Sequence, residues 1–193
     1  MGRPKTFDET AALDDAMQVF WAKGYAATSL TDLLAATGLS KSSLYETFGS
    51  KHDLFLKALE RYRDVVVVRS IAVLESEAPA REAIRGAFLQ AIEGCAEAAE
   101  PRGCFSNNCA VEQAARDPAA CRRVMEVFGR FEAAFEAAIR RGQAAGEIPA
   151  ERDPEGLARY LNSALNGLIV VSKTRPGREG LTDVVEITLK ALD

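Results

Sequence analysis

Histidine is almost absent from this 193-residue chain, where His52 stands alone. A multi-histidine metal centre is thereby excluded, and no metal or other cofactor is expected. Cysteine is sparse too: four residues, at 95, 104, 109 and 121, with no CxxC pair. Their intervals match no common zinc finger, and in a reducing compartment such thiols stay free. No apolar run approaches the roughly 18 residues of a membrane-spanning helix. The opening MGRPKTFDE lacks the apolar stretch of a secretory signal, so the expected location is the cytoplasm. An excess of positive charge is also missing, since the net charge is −4. Its distribution matters more than its sum. Residues 1–63 hold 8 Lys+Arg and 8 Asp+Glu, so the whole deficit lies downstream. A neutral front can still meet phosphates where Arg3, Lys5, Lys41 and Lys51 gather.

What the chain does have is helical periodicity, in a composition that is 48% hydrophobic and 27% charged. A first helix is expected from Thr6, with Glu9 completing a capping box, a stripe of Leu13, Ala16, Met17 and Phe20, and Gly24 as its stop. Trp21 and Tyr25 are expected to complete the small core around it. A long helix is expected over 51–75. Within it Val65–Val68 are four β-branched residues that alone favour strand, but the preceding periodicity decides for helix. Pro79 is placed to start a helix with Ile84, Phe88, Ala91, Ile92 and Cys95 on one side. Residues 100–103 read as a loop, and 105–116 as a short helix. Asp117-Pro118 and Asp153-Pro154 pair an N-cap with a first-turn proline and open two more helices. The first carries Cys121, Val124, Phe128, Phe131, Phe135 and Ile139, and is stopped near Gly146. The second carries Leu157, Leu161, Leu165 and Leu168. A turn at 175–177 precedes a last helix with Leu181, Val185, Leu189 and Leu192. The expected fold is all-α with nine helices.

Residues 28–51, TSLTDLLAATGLSKSSLYETFGSK, carry the most information. Ser29 and Asp32 form a capping box, and Leu30, Leu33 and Leu34 an apolar face. Gly38 breaks the helix in a left-handed conformation and Leu39 turns inward. Ser40 caps the next helix, where Leu44 and Phe48 at i, i+4 face the core. That leaves Lys41, Ser42, Tyr45 and Thr47 outward. A short helix with an apolar back and such a front suits the major groove. Ser50 and Asp53 form a second capping box. The segment reads as a helix-turn-helix.

These residues resemble the tetracycline-repressor (TetR) family of bacterial transcription regulators. The resemblance spans the first 63 or so residues: the GRPK start, Phe20, KGY at 23–25, Thr28-Ser29 and DLLAATGLSKSSLYETFGSKHDLF at 32–55. It implies a DNA-binding domain over 1–50 and a ligand-binding and dimerisation domain over 51–193. It further implies a homodimer, bound to a palindromic double-stranded DNA operator and released by a small-molecule effector. On the matching positions, Lys41, Ser42, Ser43, Tyr45 and Thr47 lie on the recognition helix. Thr28, Ser29 and Lys51 would touch backbone phosphates. Thr47 departs from the His or Tyr common in the family. Glu46 cannot pair with phosphate but could accept from a cytosine amino group. Arg3 and Lys5 are either a free tail or an arm toward phosphates or the minor groove.

Downstream, the resemblance implies an effector cavity among the middle helices, with Phe88, Cys104, Phe105, Asn108, Phe128 and Asn166 as candidate lining for a modest, largely apolar molecule. The leucine lines at 157–168 and 181–192 are expected to pair with their copies in a four-helix bundle between subunits, with Asn162, Asn166 and Gly167 beside the seam. Cys95 and Cys121 fall on apolar faces as packing residues. Cys104, at a loop-to-helix junction near Arg102, is a candidate thiol sensor of electrophiles or oxidants, which makes a thiol-switched repressor the alternative reading. A helical thiol enzyme using Cys104 is a rival of another class. It lacks a base, and the chain is not expected to be an enzyme.

Overall fold

Six serine and aspartate side chains open six of the helices in the computed structural model of the chain, which describes residues 7–96, 102–174 and 178–193. The basic residues Arg3 and Lys5, the expected helix start at Thr6, and the turn at 175–177 lie outside them, as do residues 100 and 101 of the expected loop. For Cys95 only the backbone is described. Asp8 accepts from the N–H groups of Thr10 and Ala11 and starts α1 (Glu9–Ala27), so the expected start at Thr6 moves two residues on. Ser29 and Ser50 form the expected capping boxes with Asp32 and Asp53, opening α2 (Leu30–Thr37) and α4 (Lys51–Tyr62). Ser40 caps α3 (Lys41–Phe48) through the Ser43 N–H. Asp117 and Asp153, each before a proline, start α8 (Pro118–Ala144) and α9 (Pro154–Ser172).

The expected rod over 51–75 is continuous but not uniform. After α4 it passes through a π-helical turn, Arg63–Val67, into α5 (Val68–Leu74). The valines thus stay helical but loosen the helix by one residue per turn. Then follow α6 (Ala80–Ala96), α7 (Phe105–Glu112) and, after α8 and α9, α10 (Arg178–Leu189) with a 3₁₀ turn Lys190–Leu192. Helix α7 is shorter than expected and ends at Glu112. With α4, the π turn and α5 taken as one rod, nine helices are present among the described residues, as expected.

Phe20, Leu33, Leu44, Phe48, Leu54 and Phe55 close the core of the helix-turn-helix unit, and all are buried. Helix α4 packs on α1 with one face and on α8 with another, so it belongs to both units. An aromatic series crosses the junction. Phe20 meets Phe55 at 5.2 Å, Phe55 meets Phe105 at 5.9 Å, Phe105 meets Tyr62 at 5.7 Å, and Tyr62 meets Trp21 at 5.0 Å. Such edge-to-face contacts add to the area they bury.

The leucine lines behave differently from expectation. Leu161, Leu165 and Leu168, with Leu181, Val185, Leu189 and Leu192, are buried within one chain against α6 and α8. The uncovered apolar residues sit on the other faces of the same helices: Tyr160, Val170 and Val171 on α9, Val184 and Ile187 on α10. Both helices are apolar on two sides, and the stripe read from sequence is the inner one.

Leu44 is fully buried beneath the exposed front of α3. Leu44→Ala is expected to destabilise the protein by about 2–5 kcal/mol, read as a lower urea midpoint with an unchanged slope.

Candidate DNA-binding face and ligand cavity

Helix α3 presents the front that its spacing requires. Lys41, Ser42, Tyr45 and Glu46 are exposed and Ser43 and Thr47 half-buried, while Leu44 and Phe48 hold the helix from behind. Gly38 takes its left-handed turn at φ 66°, and its N–H closes on the Leu34 carbonyl. At the start of α3 the Ser42 and Ser43 hydroxyls lie 3.0 and 2.9 Å from that of Ser40. This hydroxyl cluster sits where the helix dipole favours an anion. The Lys41 ammonium lies 6.0 Å from the Tyr45 ring, so charge and ring share one surface.

The three residues expected at phosphates are placed otherwise. Thr28 is buried, and its hydroxyl donates to the Gly24 carbonyl at 2.6 Å. Ser29 is exposed, but its N–H and hydroxyl both donate to Asp32 at 2.8 Å. Hydrogen bonds from Lys23, then from Ser29, hold the Asp32 carboxyl well below the usual carboxylate range, so it stays ionised at this helix start. Lys51 donates to the Tyr25 carbonyl at 2.7 Å and lies 4.5 Å from the Tyr25 ring. Thr28 closes the end of α1, Ser29 caps α2, and Lys51 ties the start of α4 to α1. Only the partner of Lys51, 26 residues away, lies beyond what the motif displays.

His52, the lone histidine, bonds Asp117 at 2.6 Å and so joins α4 to the cap of α8. Burial works against ionisation of Asp117, but His52 and the N–H groups of Ala120 and Ala119 hold its carboxyl below the ordinary range. Arg123 with Glu60 repeats the α4–α8 link, and Arg63 of the π turn with Glu126 continues it along the rod.

Behind this unit lies a cavity of about 300 Å³. Val65, Val66 and Val67, consecutive residues of the π turn, all line it. Of the candidate lining residues, Cys104, Phe128 and Asn166 are there. Three are not. Phe88 is buried against Phe135 at 6.0 Å, and Phe105 belongs to the aromatic series of the junction. Asn108 donates to the Arg102 carbonyl and accepts from Lys173. Reading from sequence missed Trp21, Tyr62, Arg69, Ser70 and Gln90. Tyr62 continues the i, i+4 apolar spacing of Leu54 and Ala58 on α4, whereas no local signal marks the others. Among the described lining residues Arg69 is the sole charge and none is acidic.

Cys104 precedes α7, and its sulfur accepts a hydrogen bond from the Tyr62 hydroxyl at 3.4 Å. Burial pushes this thiol up, against Tyr62 and the N–H groups of Asn107 and Ser106 that favour the thiolate. Cys109, buried beside carboxylates, is pushed up to about 12. Both are thiols rather than thiolates at neutral pH. Among the described residues no group of three or more His, Cys, Asp or Glu side chains could hold a metal ion, and no helix is long and apolar enough to cross a membrane.

Two family models cover most of the chain: "Bacterial regulatory proteins, tetR family" over residues 12–58 and "Tetracyclin repressor-like, C-terminal domain" over 80–186. The chain belongs to the TetR family. It is 35% identical over 194 residues to the uncharacterized HTH-type transcriptional regulator YezE of Bacillus subtilis (strain 168), covering 100% of both chains. It is also 35% identical over 195 residues to the HTH-type transcriptional repressor ComR of Escherichia coli (strain K12), covering 98% of this chain and 90% of ComR. Among solved structures, a cysteine mutant of the TetR family regulator CifR complexed with 26-bp double-strand operator DNA superposes with a TM-score of 0.89. The identity there is 34%, and 100% of each chain is covered. As a family member this protein is a DNA-binding transcriptional regulator. Its partners are double-stranded operator DNA and a second copy of itself.

Lys41 and Lys51 separate two roles that sequence treated alike. Lys41→Ala is expected to lower the slope of log K against log salt for operator binding by about 1, as loss of a phosphate contact does. Lys51→Ala is expected to leave that slope unchanged while lowering the melting temperature. Fluorescence anisotropy across a salt series and a thermal melt check both.

Proposed function

We propose that the protein is a cytoplasmic, effector-responsive repressor, released from a palindromic operator by a modest, largely apolar small molecule. Its DNA-binding unit is residues 1–50 and its ligand-binding and dimerising unit residues 51–193, sharing α4. Lys41, Ser42, Ser43, Tyr45 and Thr47 form the reading front of α3. The cavity behind α4 carries the reading. It is walled by the π turn and by the start of α7, next to Trp21 and Tyr62, which also pack the DNA-binding unit. A ligand there bears on the junction itself. Release requires that it favour a conformer with a different spacing of the two recognition helices, because equal affinity for both conformers shifts nothing.

The position of Cys104 supports a second reading, a thiol-switched repressor. Its residue lines the cavity, so an electrophile drawn in by the apolar walls meets a thiol there. The raised pKa makes this a slow nucleophile that depends on being held close to its target.

One variant tests the effector reading. Ala91 lines the cavity from α6, and Ala91→Trp fills it. This variant is expected to keep operator affinity within a few-fold while losing release by any compound that releases the parent, measured by anisotropy of a labelled operator. Undiminished release would overturn the cavity assignment. Cys104→Ser separates the two modes, since only a thiol switch loses its response to electrophiles.

The outer faces of α9 and α10 are the proposed subunit seam. Ile187 is 65% exposed and stands with Tyr160, Val170, Val171 and Val184 as uncovered apolar surface. Ile187→Glu is expected to yield monomers by light scattering and to weaken operator binding by about 10²–10⁴-fold through lost bivalency. A dimer of parental affinity would place the seam elsewhere.

A further inference from the structure

The two ends of α7 touch different parts of the molecule. Just before its first turn, Gly103 and Cys104 form cavity wall, and the Gly103 carbonyl accepts the Trp21 indole N–H at 2.9 Å. Eight residues on, about 12 Å along the helix, Glu112 reaches into the DNA-binding unit. Its two carboxylate oxygens accept the Tyr25 N–H at 2.9 Å and the Ala26 N–H at 2.7 Å.

A second feature at the same place shows that this contact is built in. Gly24 breaks α1 with φ 78° and ψ 171°, a left-handed region that other residues rarely enter. A β-carbon added there would lie 2.8 Å from the nearer Glu112 oxygen. The bare glycine therefore frees the backbone to turn and clears the path for the carboxylate. The segment it holds is a junction. Thr28 bonds back to the Gly24 carbonyl before α2 begins, and Lys51, at the start of α4, donates to the Tyr25 carbonyl. One carboxylate thus grips the turn that leads into α2 and that the start of α4 is bonded to.

We propose that Glu112 is the positioning residue that carries the state of the cavity to the DNA-binding helices. The inference rests on the effector reading above and gives it a transmission element. A ligand that displaces Gly103 and Cys104 moves α7 as a short rod, and Glu112 passes that movement to the turn between α1 and α2. Other links between the two units exist: Arg123–Glu60 and Arg63–Glu126 tie α4 and the π turn to α8, Arg102 donates to Gln18 on α1, and His52, bonded to Asp117, sets its ring against Tyr25. Glu112 differs from these in bonding the backbone of the turn itself.

The test needs no knowledge of the effector. Cys104 at the cavity end reports its own state through the rate of alkylation by iodoacetamide, followed by peptide mass mapping with and without operator duplex. If the two ends are coupled, operator binding shifts the cavity as the cavity shifts the operator. In the parent protein the operator is expected to change the Cys104 rate by about 5-fold or more, within the usual range of coupling. In Glu112→Gln, which keeps the size but replaces one acceptor by a donor, the rate is expected to be the same with and without operator, at saturating operator and with the dimer intact. Should that variant not fold, Gly24→Ala poses the question from the other partner, with the same expectation. Full coupling retained in either variant would overturn the role of Glu112 and leave the effector reading standing. No coupling in the parent protein would remove both.

Discussion

Burial of Leu44 and Phe48 is the constraint on which the rest depends. An eight-residue helix is too short to be stable alone, and its order comes from the apolar face it hides. With that face fixed, Lys41, Ser42 and Tyr45 have no choice but to point away from the core. The serine and glycine residues on either side set where the helix starts and stops. The same four-residue repeat therefore supplies both the stability of α3 and the surface offered to DNA.

The small unit does not stand on the larger one by a flexible linker. Aromatic rings of α1, α4 and α7 interlock across the junction, and ion pairs run from α4 to α8 along one side of the rod. A tightly packed junction transmits displacement instead of absorbing it. The π turn is the one place where the rod departs from regular geometry, and it faces the cavity. π turns inside helices are frequent at functional sites, and this one coincides with the run of branched valines at 65–67.

Local chemistry was legible in the sequence, and long-range chemistry was not. Capping boxes at Ser29 and Ser50, the proline-led starts at Asp117 and Asp153, and the glycine turn at 38 depend on neighbours within four residues, and the structure shows each. Lys51 looked like a phosphate ligand because its partner, the Tyr25 carbonyl, is 26 residues away. Gly24 could be read as a helix stop, but the carboxylate that needs its missing side chain comes from position 112. Phe105 and Phe88 could be assigned to a helix face, though not to junction or core in preference to cavity, because all three are apolar. The leucine lines failed for a related reason. A helix apolar on two sides shows its stronger stripe in the sequence, and the stronger stripe is the one the chain buries for itself.

Operator recognition as proposed needs two α3 helices, one per subunit, to enter successive major grooves on one side of a duplex. Spin labels at Thr47 of both subunits, in a background without native cysteines, measure that geometry directly by electron–electron distance. With operator bound, a narrow distribution near one helical turn, about 34–36 Å between helix centres, is predicted. A distribution that operator DNA neither narrows nor centres near that spacing would contradict it.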